Sequence, residues 1–193
     1  MAKGSNTFGG TLKLQGQKEY REAIKSINSD LKVMASEMKK EVAQFGNNQS
    51  RTEALTAKQK VLSEQYDAQK GKVDAYRAAV EKLQREQSEC GFQVQKLSYA
   101  YEDAKSQLDT MKKSTSSTSE EIEKQENRVH GLEVGLEKAN NQYNANERSI
   151  NEWKTNLNKA EAELYKLNNE LEENEKQIRE QFARMKTAKL KYD

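Results

Sequence analysis

Residues 122–192 read IEKQENRVHGLEVGLEKANNQYNANERSINEWKTNLNKAEAELYKLNNELEENEKQIREQFARMKTAKLKY. Steps of seven through this stretch land on Ile122, Val129, Leu136, Tyr143, Ile150, Leu157, Leu164, Leu171, Ile178, Met185 and Tyr192. That is an unbroken apolar column at the a positions of a heptad repeat. Three residues further on lies a mixed d column of Leu132, Ala139, Trp153, Ala160, Leu167 and Ala188, interrupted by Gln125, Asn146, Asn174 and Gln181. With about 3.6 residues per helical turn, a strict period of 7 keeps its stripe against a partner only through left-handed supercoiling. The stretch therefore needs other helices to bury its seam.

The same period reaches back towards the start. Ile24, Leu31, Met38 and Phe45 take a positions and Tyr20, Ile27 and Met34 take d positions, the pattern of an amphipathic helix. A second long segment carries Tyr66, Val73, Val80, Val94, Tyr101 and Leu108 at a, with Leu55, Leu62, Tyr76, Leu83, Cys90, Leu97, Ala104 and Met111 at d. Gln59, Gln69 and Gln87 interrupt it. The expected seam thus runs through Ile24, Leu31, Met38, Val73, Val80, Leu83, Val94, Leu97 and Leu108, and then Ile122, Val129, Leu136, Tyr143, Ile150, Trp153, Leu157, Leu164, Leu167, Leu171 and Ile178.

Two places interrupt the helices. Gly46 suits the residue after a helix end, and Ser50 with Glu53 has the spacing of a capping box that opens the next helix. Residues 114–119 are all Ser or Thr, poor helix formers, followed by Glu120 and Glu121 as at a helix start. The predicted organisation is an extended or flexible segment over 1–17, with Thr11 to Leu14 as a short strand or an extended lead-in, then helices over 18–46, 51–113 and 119–192. Both interruptions keep the heptad phase, since the a column continues through Thr52 and Thr115. An unrelated loop does this roughly one time in seven, which favours an interrupted rod. Short polar connections also join antiparallel neighbours, and a helical hairpin is the alternative. The fold class is all-α, a long coiled coil in either case.

Composition agrees with a seam and not with a globular core. Charged residues make up 33% of the chain and apolar ones 34%, where ~45–50% apolar is usual. There is no proline to stop a helix. Acidic and basic residues nearly cancel, 31 against 33, and alternate along the chain, as on a solvated coiled-coil surface. Specific nucleic-acid binding is not expected from such a field. No apolar run approaches the ~18 residues of a membrane span, and the opening residues lack the apolar middle of a signal peptide, so a soluble chain made in the cytoplasm is expected.

Chemistry finds no foothold. The single histidine, His130, sits at a b position beside Gly131, which places it in solvent. The single cysteine, Cys90, falls at d, the place of a small buried side chain. No phosphate-binding loop, His-Glu-x-x-His or paired-Cys spacing occurs. The pairs Glu120 with Glu121 and Glu172 with Glu173 read as a solvated face, and Trp153 reads as a large seam residue. No catalytic residue, cofactor or metal is expected, and the chain reads as a non-enzyme.

One run carries a resemblance. From Gly9 through Gly10, Thr11, Leu12, Lys13, Leu14, Gln15, Gly16, Gln17, Lys18, Glu19, Tyr20, Arg21, Glu22, Ala23, Ile24, Lys25, Ser26 and Ile27 to Asn28, and on through Leu31, Lys32, Val33, Met34, Ala35, Ser36, Glu37, Met38 and Lys39, the sequence resembles the opening of tail tape measure proteins from long-tailed phages and prophages of Gram-positive bacteria. In that family a short extended piece precedes a helix and then long coiled coil. The resemblance implies a virion structural protein in the lumen of the tail tube, present in host cytoplasm during assembly. It implies self-association through the coiled coil, partners among the tail tube protein and tail assembly chaperones, and a role as a ruler that sets tail length. Members are usually several times longer, with apolar segments or a wall-degrading domain downstream, so this chain is expected to be an N-terminal portion, a truncated prophage product or a processed piece. The other reading from the residues alone is a cytoplasmic coiled-coil adaptor or tether.

Overall fold

A computed structural model describes residues 17–44 and 51–189. Among these the chain is all-α: α1 is Gln17–Gln44, α2 is Arg51–Lys113 and α3 is Ser119–Lys189. The expected strand at Thr11 to Leu14, the glycine stop at Gly46 and the cap at Ser50 lie outside the described residues, as do Phe45 and Tyr192. The described residues fall into two units, one over Val80–Glu152 and the other over 17–44, 51–79 and 153–189.

In the first unit the second half of α2 and the first half of α3 run antiparallel. Cys90 Sγ approaches the Ala139 carbonyl at 3.9 Å, and Gln125 Nε2 donates to the Ala104 carbonyl at 2.8 Å. Both pairs join d to d, and the two residue numbers of each pair add up to 229. Lys112 pairs with Glu126 at 2.6 Å beside the connection. The turn itself is residues 114–118. The Ser114 amide donates to the carbonyls of Thr110 and Met111, both at 3.1 Å, which closes α2.

Thr118 then opens α3 with a capping box. Its hydroxyl accepts from the Glu121 amide at 3.2 Å, while the Glu121 carboxylate accepts from the Thr118 amide at 2.9 Å and from the hydroxyl at 3.0 Å. The acidic pair Glu120 and Glu121 also sits where the helix dipole favours negative charge. These accepted bonds hold the Glu121 carboxyl below the ordinary carboxylate range.

The interrupted rod favoured by the sequence is therefore corrected to the hairpin. Phase continuity shows which faces line up if the helix continues. It does not decide whether the chain turns, because a short connector can deliver the next helix in any phase, the continuous one included. What decides the matter is that a run of Ser and Thr weakens the helix and a folded-back neighbour buries the seam at high effective concentration.

The second unit holds α1, the first half of α2 and the second half of α3. Here again α2 and α3 are antiparallel with d facing d: Asn174 Nδ2 donates to the Leu55 carbonyl at 2.9 Å and Gln69 Nε2 to the Ala160 carbonyl at 2.8 Å, while the Tyr76 and Trp153 rings meet edge to face at 5.7 Å. The numbers 55 with 174, 69 with 160 and 76 with 153 also add up to 229. Along α1, Arg21 lies over Trp153, opposite Tyr76, and Ile27 lies against Gly71. Ascending α1 thus descends α2, so these two helices are antiparallel as well. Ile24 of α1 is buried, and Ile27, Leu31, Met34 and Met38 are half-buried.

Two tests follow from local geometry. A Cβ at Gly131 meets nothing within 4 Å, whereas one at Gly91 would stand 3.3 Å from the Tyr143 ring. Gly131→Ala is expected to stabilise the chain by about 0.5–1 kcal/mol through backbone entropy, and Gly91→Ala by less because the ring must give way, both read by thermal melting. For Glu121, whose folded pKa is depressed, the contribution to stability is present above the ordinary value of 4.5 and is lost as pH falls through the folded value. Protection of the amides in the first turn of α3, taken relative to intrinsic exchange, should fall on acidification; Glu121→Gln should remove that acid dependence, whereas Thr118→Ala, which keeps the main-chain amide that donates to Glu121, should only weaken it.

Candidate interaction surface

Seven-residue spacing selects which side chains meet, and the two columns are not treated alike. At d, Leu55, Leu62, Gln69, Leu83, Cys90, Ala104, Gln125, Leu132, Asn146, Trp153, Ala160 and Asn174 are all buried, although four of them are Gln or Asn. At a, only Val73, Val80, Leu108 and Ile150 are buried on α2 and α3; Val94, Ile122, Val129, Leu136, Leu157, Leu164, Leu171 and Ile178 are half-buried, and Tyr143 is exposed. Leu97 and Leu167, at d, are half-buried. The greasier column therefore flanks the seam and the more polar one occupies its centre. Hydrophobicity alone ranks the columns the other way.

The reason lies in what each polar d residue finds opposite. Gln69 faces Ala160 and Gln125 faces Ala104; the methyl side chain leaves room for the glutamine to cross the interface and donate to a main-chain carbonyl. Asn174 donates both to the Leu55 carbonyl and to Gln59 Oε1, the latter at 2.7 Å. Asn146 accepts from Gln142 at 2.7 Å. A buried amide left without partners would cost about 1–3 kcal/mol, so the bonds of Gln69, Gln125 and Asn174 tie burial to particular residues on the opposite helix, whereas the bond of Asn146 stays within α3. Sliding one helix by a heptad would put Leu167 or Trp153 opposite Gln69 and Leu97 or Met111 opposite Gln125, closing the amide's way to a carbonyl, and would carry Asn174 away from Gln59. Asn174 Oδ1 and Gln87 Oε1 are buried with no hydrogen-bond partner, so satisfaction is incomplete at those two layers.

Reactive chemistry is not assembled around the residues that could supply it. His130 is exposed, with Glu133 at 3.8 Å from Nδ1. Burial pushes the Cys90 thiol up from its ordinary value, away from the nucleophilic thiolate. Glu120, Glu121, Glu172 and Glu173 are exposed, and the last two accept from Asn168 and Gln177 on their own helix. Among the described residues no cluster of three or more His, Cys, Asp or Glu is placed to hold a metal ion. No described helix is long and apolar enough to cross a membrane.

What the heptad reading missed is the face outside the seam. In the three-helix unit the c positions of α2 are Ala54, Val61, Ala68 and Ala75, and all are buried or half-buried; in the two-helix unit Glu89, Lys96 and Asp103 at c are exposed. A column of small residues at heptad spacing marks the part of α2 that a further helix can approach closely, and it was visible in the sequence. No family model, curated protein or solved structure matches the chain. Its surface must be read on its own terms. On the two-helix unit, Phe92 and Tyr99 stand one heptad apart at f with 65% and 68% of their surfaces exposed. They form the largest aromatic feature that this unit presents to a partner, set between Arg85, Glu89 and Lys96.

Trp153 joins the seam to α1, since it packs on Tyr76 and lies under the Arg21 guanidinium at 5.7 Å. Trp153→Ala is expected to cost about 3–5 kcal/mol and to release α1, read as a lowered melting temperature with rapid amide exchange in α1. Arg21→Ala, which removes only the cation over the ring, should cost about 0.5–1 kcal/mol.

Proposed function

We propose that the chain is a structural coiled-coil protein of the tape measure type, or the N-terminal part of one, that works inside a phage tail tube without catalytic activity. Two features support this reading. The run from Gly9 to Lys39 resembles the opening of that family, and the helix the family places after its short extended piece falls where α1, Gln17–Gln44, begins. The second feature carries the reading: α2 and α3 are uninterrupted helices of 63 and 71 residues whose pairing repeats every seven. Each added heptad lengthens such a helix by about 10 Å, so extent is proportional to residue count, as a ruler requires.

The hairpin makes the proposal more specific. A ruler that works drawn out shortens with every heptad removed, whereas one that works folded back shortens only when matched heptads leave both arms. Residues 164–170 match residues 59–65 in the observed register.

A second reading, a cytoplasmic adaptor or tether, is favoured by Phe92 and Tyr99, an exposed aromatic pair with no covering helix among the described residues. In that case purified tails lack the chain, and Phe92→Ala with Tyr99→Ala loses a non-virion partner in a pull-down.

The test of the ruler uses a phage that encodes the chain. Deleting 164–170 alone is expected to shorten tails by about 10 Å if the working form is extended; deleting 59–65 as well is needed if the hairpin persists. Tails of unchanged length in both deletions would exclude a ruler.

A further inference from the structure

The connection between α2 and α3 has a property that a hairpin does not use. Met111 and Thr118 are both d positions, and Leu108, Thr115 and Ile122 are all a positions. Were residues 114–118 helical, the d columns of α2 and α3 would therefore fall on a single stripe. A turn that only reverses the chain has no need of this, because any phase of α3 can face α2 once the direction changes.

Nothing in the connection forbids the straight form. Residues 114–118 contain neither glycine nor proline. Their hydrogen bonds are local: the Ser114 amide bonds back to Thr110 and Met111, the Ser116 amide bonds to Ser114 Oγ at 3.2 Å, the two serine hydroxyls lie 2.7 Å apart, and Thr118 bonds with Glu121. Straightening exchanges these for ordinary helical bonds. Serine and threonine are weak helix formers but not helix breakers.

The register supplies the partner. In the two-helix unit, 90 faces 139 and 104 faces 125, always adding up to 229. That relation is symmetric between an α2 and an α3, and it is indifferent to whether both belong to one chain. We propose that residues 114–118 are a hinge at which two copies of the chain exchange α3. The product is an antiparallel, two-fold dimer in which residue i of one copy faces residue 229 − i of the other. The axis passes between Ser114 and Thr115, and Met111 of each copy meets Thr118 of its partner. Every d–d contact of the hairpin is remade between copies, including the bond from Gln125 to the Ala104 carbonyl and the ion pair of Lys112 with Glu126. Only the turn differs, which is the condition under which exchange between identical chains costs least. This inference does not depend on a role in a virion.

Because the two forms differ in the hinge alone, hinge substitutions should move their balance and leave the seam intact. A short connector gives an intrachain concentration of about a millimolar, so the wild-type chain should be monomeric at micromolar concentration and populate the dimer as it approaches that value. The test is sedimentation equilibrium after refolding, on three chains. The first is wild type. The second carries Ser114→Ala, Thr115→Ala, Ser116→Ala, Ser117→Ala and Thr118→Ala, which favours the straight hinge and removes the cap of α3. The third is that variant with one further alanine inserted between 116 and 117, equally helical but out of phase. The in-phase alanine variant is expected to dimerise at least about tenfold more tightly than wild type, and the out-of-phase variant to lose that gain. In the dimer, Leu97→Cys with Leu132→Cys, a facing d pair that leaves Gln125 and Ala104 in place, in a Cys90→Ala background should oxidise to a species of twice the mass; in the monomer the same pair should close within one chain. Equal dimerisation of the in-phase and out-of-phase chains would overturn the proposal, as would an in-phase variant that stays monomeric, or a dimer whose cysteines close only within chains.

Discussion

The pairing of d with d across antiparallel helices, fixed where Gln69 and Gln125 reach over an alanine to a main-chain carbonyl, is the constraint on which the rest depends. Apolar contacts supply much of the driving force, but they are poor at choosing a register. Leu, Val and Ile opposite one another are nearly as content one heptad away. A buried glutamine is not, because a larger side chain in place of the facing alanine blocks its way to a main-chain carbonyl and leaves an unpaired donor in a low-dielectric seam. The glutamines at 69 and 125 and the asparagine at 174 thus specify the pairing that the leucines stabilise. Their number is small, and each is matched to an opposite residue whose size or carbonyl suits it.

This arrangement explains why so little apolar material suffices. A chain that is 34% apolar cannot fill a wide core, but it can fill a seam two or three side chains across. Leu62, Leu83, Cys90 and Ala104 are almost completely enclosed, while most of the flanking a residues, Val73, Val80, Leu108 and Ile150 apart, are covered only in part. Where α1 joins, the small residues Ala54, Val61, Ala68 and Ala75 allow a third helix close to α2, and Ile24 becomes buried. Where the c column turns to Glu89, Lys96 and Asp103, charge keeps that face in water.

Much of this was legible in the order of residues. The heptad period, the absence of proline and the balance of charge point to long helices and a seam, and Cys90 and Trp153 lie buried at the d positions assigned to them. Three things were harder to read. Direction was missed because phase is preserved equally by a rod and by this turn, so Thr115 and Thr118 carry no information on whether the chain reverses. The primacy of d over a was missed because polarity was counted without asking what faces each glutamine; the alternation of Gln69 with Ala160 and Ala104 with Gln125 becomes visible only once the helices are laid antiparallel. The cap of α3 was placed on the acidic pair but not on Thr118, whose spacing to Glu121 is the capping-box spacing. As for function, no reactive cluster is assembled among the described residues, and Phe92 and Tyr99, the exposed aromatic pair, share the heptad spacing of the seam at f and so do not stand out from the repeat.

The register can be measured directly by disulfide trapping. In a Cys90→Ala background that keeps Gln69, Gln125 and Asn174, Leu97→Cys is paired either with Leu132→Cys, the facing d residue, or with Ala139→Cys, one heptad away. Rapid oxidation within the monomer for position 132 and none for position 139 is the result expected if d faces d as described. Equal oxidation of both pairs, or preference for 139, would contradict it, because a seam able to slip by a heptad cannot be one in which the buried amides choose their partners.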